Sequence, residues 1–451
     1  MRCVPIRHWP NCVDCVPEAR TRRVMRTTCL PRSDLTRRQP TDALSDLFSG
    51  YNLREYSPNV RRFFLFGIPL FAGMAIQSLL YNLYLTRLGY QEDFIGQMAG
   101  LAPIASGLLA IPTGIISDRI GRKPFLLAAA AIMATTQVGL CTVTNPAFLL
   151  ALSFVSGTAG TFIWVNHVPF LSENARPQRR AQAIAIWISI QTVTRMALSL
   201  VAGSLPGLMG RLTDTGTDLP EPYRWALYVG AALCLVALLP LIGVHVKAPQ
   251  DQAREQTGAA PFPLRTFVAF GAISICRGAS MGFSFPFFNV FFQQAVGLST
   301  PVIGLVFFLS QVVAVPCTVL APALVRRLGA INTIVPTRIV GSLALVVLGF
   351  ADNLPLGMAC FLLAGLVEAI TMPTEMTYTT QIIPSRYWAR MQSLRVTGFQ
   401  IPSGIASLAA GFLIVEYGYW ATFALAGTTR LMSALILFFV FKDTKPEEAG
   451  D

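Results

Sequence analysis

Two glutamates, Glu368 and Glu375, lie inside one apolar run of this 451-residue chain. Their spacing of seven puts both on one face of a helix. Arginines interrupt other apolar runs, at Arg195, Arg277, Arg338, Arg395 and Arg430. An ionisable group at bilayer depth is expensive and faces a partner or an aqueous cavity. A carboxylate placed there can carry a proton, because burial favours its neutral form and a nearby arginine its charged form. Glu368, Glu375 and Arg277 are therefore candidate coupling groups. The alternative is a structural network, with Glu368 on Arg277 and Glu375 on Arg395 or Arg338. Arg195 and Arg277 come from opposite halves at similar depth and are a candidate clamp for an anionic group. Arg430 either snorkels or pairs toward the Glu416 end of the protein.

Neutral polar residues in the same runs are candidate lining for a substrate cavity: Gln77, Asn82, Asn166, Asn289, Gln311 and Gln400, with Arg195 and Gln191. "FSFPFFNVFF", from Phe283 to Phe292, would add an aromatic wall, unless those rings face lipid. His167 is either a proton relay or a packed polar side chain.

Other chemistries find little support. Three histidines far apart, His8, His167 and His245, make no metal or nucleophile–base set. "CVDC" at Cys12–Cys15 has no second ligand pair at zinc spacing. Cys141, Cys234, Cys276, Cys317 and Cys360 sit in apolar runs, as small hydrophobes do. No glycine-rich phosphate loop with its lysine and serine or threonine is present. An enzyme, a cofactor, a metal site and a nucleic-acid partner are not expected.

The elements that must position these residues follow from composition. Hydrophobic residues make up 53% of the chain and charged residues 13%, too little polar surface for a soluble protein of this size. Apolar runs long enough to span a bilayer recur along it. They start near residues 63, 94, 124, 147, 181 and 224, then 266, 301, 332, 355, 391 and 419. This gives an all-α polytopic membrane protein of twelve spans, split six and six by the polar stretch "KAPQDQAREQTGAAPFP". The division is an arm at 1–60, bundles at 61–246 and 265–442, a linker at 247–264 and a tail at 443–451. Residues 1–62 hold twelve arginines, no lysine and six acids, the composition of an unstructured arm able to touch anionic lipid.

Bases orient the bundle. One set of loops and the tail hold Arg119, Arg122, Lys123, Arg176, Arg179, Arg180, Lys247, Arg254, Arg265, Arg326, Arg327, Arg386, Arg390, Lys442 and Lys445. The opposite side has Arg87, Arg211 and Arg224. The basic side is expected to be cytoplasmic, with both termini there, in the inner membrane. The halves also repeat. "LGYQEDFIG" ends 25 residues before Gly121, and "VGLSTPVIG" ends 25 residues before Gly329; Gly89 and Gly297 keep the same offset of 208. Tandem halves imply a pseudo-two-fold axis along the membrane normal, an arrangement suited to two bundles rocking about a central site.

Between spans two and three lies "GIISDRIGRKP". Gly114 and Gly121 allow a tight turn. Pro124 suits a helix start. Asp118 ends a helix, where the dipole disfavours an acid, so it needs an outside partner. Arg119, Arg122 and Lys123 sit at headgroup depth. The stretch resembles the loop motif of the major facilitator superfamily, and Gly114, Asp118, Arg119, Gly121, Arg122 and Lys123 fill its positions. The second-half copy, "LVRRLGA", keeps Arg326, Arg327 and Gly329 but lacks the acid. The resemblance covers residues 61–442. It implies two six-helix bundles and a loop that controls alternating access, with Asp118 contacting the start of span eleven. Two marks of proton-coupled drug antiporters are absent: Ser153 stands four before Gly157 where an arginine is usual, and Pro206 precedes Gly207. The long linker signature of sugar facilitators is also absent.

The expected function is secondary active transport of a small organic or amphiphilic solute, coupled to protons, with export one direction, by a monomer among membrane lipids. Alternatives are an uptake permease for an organic anion or metabolite and a non-transporting sensor or scaffold.

Overall fold

The structure, a computed structural model, describes residues 56–176, 179–216, 218–244, 263–384 and 387–442. Nearly all of the arginine-rich arm and polar linker, and the tail, lie outside the described residues. So do His8, His245, Lys247, Arg254, Arg386 and Lys445.

Twelve helices among the described residues are long and apolar enough to cross a membrane. They are α1 (Pro58–Arg87), α2 (Glu92–Ile120), α3 (Arg122–Thr142), α4 (Pro146–Asn174), α5 (Arg180–Leu212) and α6 (Pro220–Ile242). The second six are α7 (Leu264–Gln294), α8 (Thr300–Leu328), α9 (Ala330–Leu348), α10 (Leu354–Ile382), α11 (Trp388–Tyr417) and α12 (Tyr419–Phe441). This is the expected all-helical, six-plus-six membrane fold. Helices of 29 or 30 residues, such as α1, α2 and α11, run about 45 Å, so they tilt or protrude from a hydrocarbon layer about 30 Å thick. Large apolar side chains such as Leu65, Val319, Leu343 and Phe439 stand exposed, as lipid-facing positions do.

Local chemistry fixes the helix ends. Ser57, Asn145 and Asn353 cap α1, α4 and α10, each side chain accepting from a backbone N–H of the first turn, with proline at the helix start. Gly121 (φ 93°) ends α2 and starts α3, and Gly329 (φ 83°) does the same for α8 and α9. A one-residue corner of this kind requires a positive φ, which glycine reaches without strain. The repeat read from the sequence is thus a repeat of backbone conformation. Pro286 breaks α7: residues Phe285–Phe287 form a 3-10 turn between two α-helical stretches.

The helix ends carrying Arg119, Arg122, Lys123, Arg326, Arg327 and Lys442 define a basic face. At the far face the two bundles are closed against each other, and the closure obeys the repeat. A Cβ on Gly96 of α2 would lie 2.6 Å from the Ser407 carbonyl oxygen and 2.9 Å from Gly411 Cα in α11. A Cβ on Gly203 of α5 would lie 2.9 Å from the Thr300 carbonyl oxygen and 3.0 Å from Gly304 Cα in α8. The offset of 208 carries Gly96 to Gly304 and Gly203 to Gly411. Between α1 and α7, Asn82 Nδ2 donates to the Pro286 carbonyl (2.6 Å) and Asn289 Nδ2 to the Leu79 carbonyl (2.9 Å). An offset of 207 interchanges the two bonds. Toward the basic face the glycine seam ends: a Cβ on Gly114 would meet Val165 of its own bundle, and Gly121 has open space. Among the described residues, the bundles are shut at the far face by glycine contacts that do not extend to the basic face.

Gly404 in α11 touches the Gly100 carbonyl, 2.5 Å from where its Cβ would be. Gly404→Leu overpacks this seam at a cost of about 1–3 kcal/mol. In a cysteine-free background spin-labelled at Leu219→Cys and Asp352→Cys, both at the far face, the substitution is expected to lengthen the mean inter-label distance. An unchanged distance distribution counts against the seam as the closing contact.

Candidate functional site

A cavity of about 420 Å³ lies between the bundles, bordered by the far-face closure. α1 gives it Gln77, Tyr81 and Asn82, α7 gives Met281, Phe285 and Asn289, α8 gives Phe307, and α11 gives Phe399 and Gln400. Volume and lining suit one small organic molecule. Four of the residues expected to line a cavity, Gln77, Asn82, Asn289 and Gln400, meet here. Asn82 and Asn289 also hold the closure through their amide nitrogens, a double duty that the sequence does not reveal. Tyr81 enters as a residue not foreseen. Its hydroxyl is buried without a hydrogen-bond partner, as is Gln77 Oε1.

Four expected lining residues, Asn166, Gln191, Arg195 and Gln311, are not among the cavity's lining residues. Asn166 is fully buried in α4, donates to the Phe162 carbonyl and stands 3.5 Å from Arg122 Nη1, in the basic-face loop network. Arg195 and Gln311 stand on α5 and α8 on the basic-face side of the Gly203–Gly304 crossing. The clamp expected from Arg195 with Arg277 is therefore not assembled; Arg277 engages two glutamates instead. The phenylalanines of "FSFPFFNVFF" divide: Phe285 lines the cavity, while Phe288, Phe291 and Phe292 pack on Phe361 and Phe423 in the core. His167 is a packed side chain, with Nδ1 2.9 Å from the Trp164 carbonyl and its ring against Trp164 and Trp187.

Beside the cavity lies a charged cluster built by five helices of the second bundle. Glu375 of α10 is wholly buried. It accepts from Arg338 of α9, from Arg395 of α11 at 2.8 Å and from Arg277 of α7 at 3.2 Å. Glu368, two turns away on the same face of α10, accepts from Arg277 and lies 3.8 Å from Arg430 of α12. Its side chain is 36% exposed. The two carboxylates thus differ in kind. Glu375 is locked by three cations, and its buried charge is tolerable only because they are there. Glu368 has an open side. Arg430 pairs with Glu368, correcting the expectation that it snorkels or reaches toward Glu416. Met281 and Phe399 line both the cavity and a recess within the cluster, and the Arg277 guanidinium lies 5.9 Å from the Phe399 ring centroid.

The loop motif forms a second network at the basic face. Arg122 is its hub. It pairs with Asp118 and with Glu173 of α4 at 3.3 Å, and donates to Ser117 Oγ at 2.8 Å. Asp118 thus finds its outside partner in the first residue of α3. The partner implied by the resemblance, the start of span eleven, is not the one it has here: the Asp118 side chain is 64% exposed. Lys123 donates to the Ile242 carbonyl at 3.3 Å, and Arg62 to the Gly243 carbonyl. Arg119, Arg326 and Arg327 are exposed, and Gly114 faces Val165.

Comparison with known proteins adds family and fold. A profile described as Major Facilitator Superfamily matches residues 63–351 and 270–451. A putative sugar efflux transporter of Deinococcus radiodurans is 24% identical over 403 residues, covering 81% of this chain and 96% of that protein. A multi-drug resistance efflux pump PmrA homolog of Lactococcus lactis is 29% identical over 170 residues, 36% of this chain; the chain spans 38% of that relative's length. Among solved structures, the nucleoside transporter NupG superposes with a TM-score of 0.65 at 16% identity, covering 85% of this chain and 99% of that one. The inward open conformation of the xylose transporter XylE from E. coli gives 0.65 at 15% identity, covering 86% and 97%.

The unlike surroundings of the glutamates give a stability test. Glu375→Gln leaves Arg338 buried without its charged partner, a loss of about 3–5 kcal/mol. Thermal unfolding in detergent is expected to show a large drop in melting temperature for Glu375→Gln and a small one for Glu368→Gln. Equal drops would show that the two sites are not distinguished in this way.

Proposed function

The chain belongs to the major facilitator superfamily, a family of membrane transporters rather than enzymes, and from that premise we propose that it moves a small organic or amphiphilic solute by alternating access, driven by protons. The observation that carries the reading is the cavity of about 420 Å³ between the bundles, shut at one face by matched glycine seams and adjoining the charged cluster in which Glu368 is partly exposed.

In this reading the basic face is cytoplasmic and the structure is the inward-facing state. The solute binds among Gln77, Tyr81, Phe307 and Gln400, whose mix of rings and amides fits an amphiphilic molecule. The seams Gly96–Gly411 and Gly203–Gly304 open as the bundles rock, and the basic ends close. Asp118 and Arg122 then act as the latch of the closed basic face, with the start of α11 as their counterpart in that other state. Their present pairing within one bundle is the released form.

Glu368 is the proton carrier in this scheme. Arg277 and Arg430 stabilise its charged form, and proton access comes from the cavity side. A proton on Glu368 releases Arg430 and weakens its hold on Arg277, which stays on Glu375, so proton binding and bundle position become linked. Glu375, Arg338 and Arg395 serve as the fixed frame that holds Arg277 in place. The direction of net transport, import or export, follows from which gradient the solute opposes.

Purified protein in vesicles, with pH and sodium gradients imposed separately, tests this. A pH gradient is expected to drive solute accumulation and a sodium gradient is not. Glu368→Gln is expected to abolish accumulation while downhill exchange persists. Full accumulation in Glu368→Gln would rule out Glu368 as the carrier. Absence of flux across a broad solute panel, with binding intact, would replace the transporter by a sensor or scaffold.

A further inference from the structure

Among the described residues, the charged cluster does not balance. Arg277, Arg338, Arg395 and Arg430 face Glu368 and Glu375, four guanidinium groups against two carboxylates. Two positive charges are left over inside a membrane protein. A buried charge without a counter-ion costs several kcal/mol even after relaxation, and ionisable groups at this depth mark a ligand or ion path. Donors are left over as well. Arg338 and Arg430 are 1% and 8% exposed, and in each the Nη1 nitrogen is buried with no hydrogen-bond partner. An unmade bond from a buried charged donor carries the full desolvation penalty of that group.

The spare donors belong to residues that line one recess, together with Arg277, Glu368, Met281 and Phe399. It has about 10 Å³ of space, room for one water-sized atom. Its neighbour is the large cavity, with Met281 and Phe399 as the shared wall. A ligand that satisfies both spaces has a small anionic end and an apolar or aromatic body. One carboxylate oxygen fits the recess; the body lies against Tyr81, Phe285 and Phe307.

We infer that this recess is an anion subsite and that the solute is an organic carboxylate, held by Arg430 and Arg338 with Arg277 behind them. The inference rests on the transport reading of the cavity and sharpens it to a substrate class. Glu368 occupies the position of a competing carboxylate. It already engages Arg277 and approaches Arg430 no closer than 3.8 Å, so Arg430 is the cation with bonding capacity to give. A charge-assisted N–H bond from each of the Arg430 and Arg338 guanidinium groups to the one oxygen in the recess is about twice as strong as a neutral hydrogen bond. Arg195 is not required.

Binding to the purified protein in detergent, followed by calorimetry, separates this inference from the transport reading, because it needs no flux. The probes are benzoate, 4-hydroxybenzoate and indole-3-acetate, each paired with its neutral amide, with chloride and sulfate as separate arms. The acids are expected to bind and their amides to bind at least about tenfold more weakly, the loss of one charge-assisted pair. Arg430→Gln is expected to bring acid and amide to equal affinity, and Arg430→Lys to restore part of the difference. If Arg430→Gln does not fold, the acid–amide comparison on the unaltered protein still decides. Equal binding of acids and amides, no binding of any acid, or binding of chloride or sulfate alone would overturn the carboxylate subsite. Carboxylate binding without flux in vesicles would overturn the transport reading and leave the subsite standing.

Discussion

The second bundle is organised around Glu375. It is buried without access to water and held by arginines from α7, α9 and α11. Removing any one partner leaves charge stranded in a medium that cannot solvate it. The three helices are therefore tied to α10 at one depth. That tie positions Arg277, and Arg277 in turn reaches Glu368 and the ring of Phe399 at the cavity wall. A rigid charged frame with one exposed member is a reasonable place for coupling. In the proposed scheme the arginines keep their charge and Glu368 is the one carboxylate that varies.

The first bundle is built differently. Its contribution to the cavity is neutral, through Gln77, Tyr81 and Asn82. Its packing is aromatic, with Trp187 stacked on Phe63 and edge-on to Phe71. Where the bundles meet, however, the repeat survives in two pairs of contacts. Gly96 with Gly411 and Gly304 with Gly203 are one contact used twice, and so are Asn82 with Pro286 and Asn289 with Leu79. Glycine seams bring backbones together with few side-chain obstacles and few strong bonds to break. A seam of this kind suits a contact that opens and closes. The charged chemistry is confined to one bundle, while these far-face contacts are shared by both.

Much of this was legible in the sequence. Span count follows from run length, and the repeat from the spacing of Gly89, Gly96 and Gly121 against Gly297, Gly304 and Gly329. The shared face of Glu368 and Glu375 follows from a separation of seven. Arg277 as a partner was one of the readings the residues allowed. What failed was tertiary. Arg430 reaches Glu368 because α12 packs on α7 and α9, and no local pattern encodes that. Asn166 was read as cavity lining because it is polar in an apolar run; it is spent on Arg122 and a backbone carbonyl. Asp118 pairs with Arg122 of its own bundle, where the resemblance implied the start of span eleven. The glycine pairs did carry a signal. Applying the offset of 208 to Gly203 yields Gly411, and the symmetric seam follows from that step.

In the proposed scheme Glu368, and not Glu375, is the carboxylate that gains and loses a proton. Infrared difference spectra on acidification read this directly, through the carbonyl stretch of a protonated carboxylic acid. The unaltered protein is expected to show this band, Glu368→Gln to lose it, and Glu368→Asp to retain it at a shifted frequency. Persistence of the same band in Glu368→Gln would place the proton elsewhere and contradict the account.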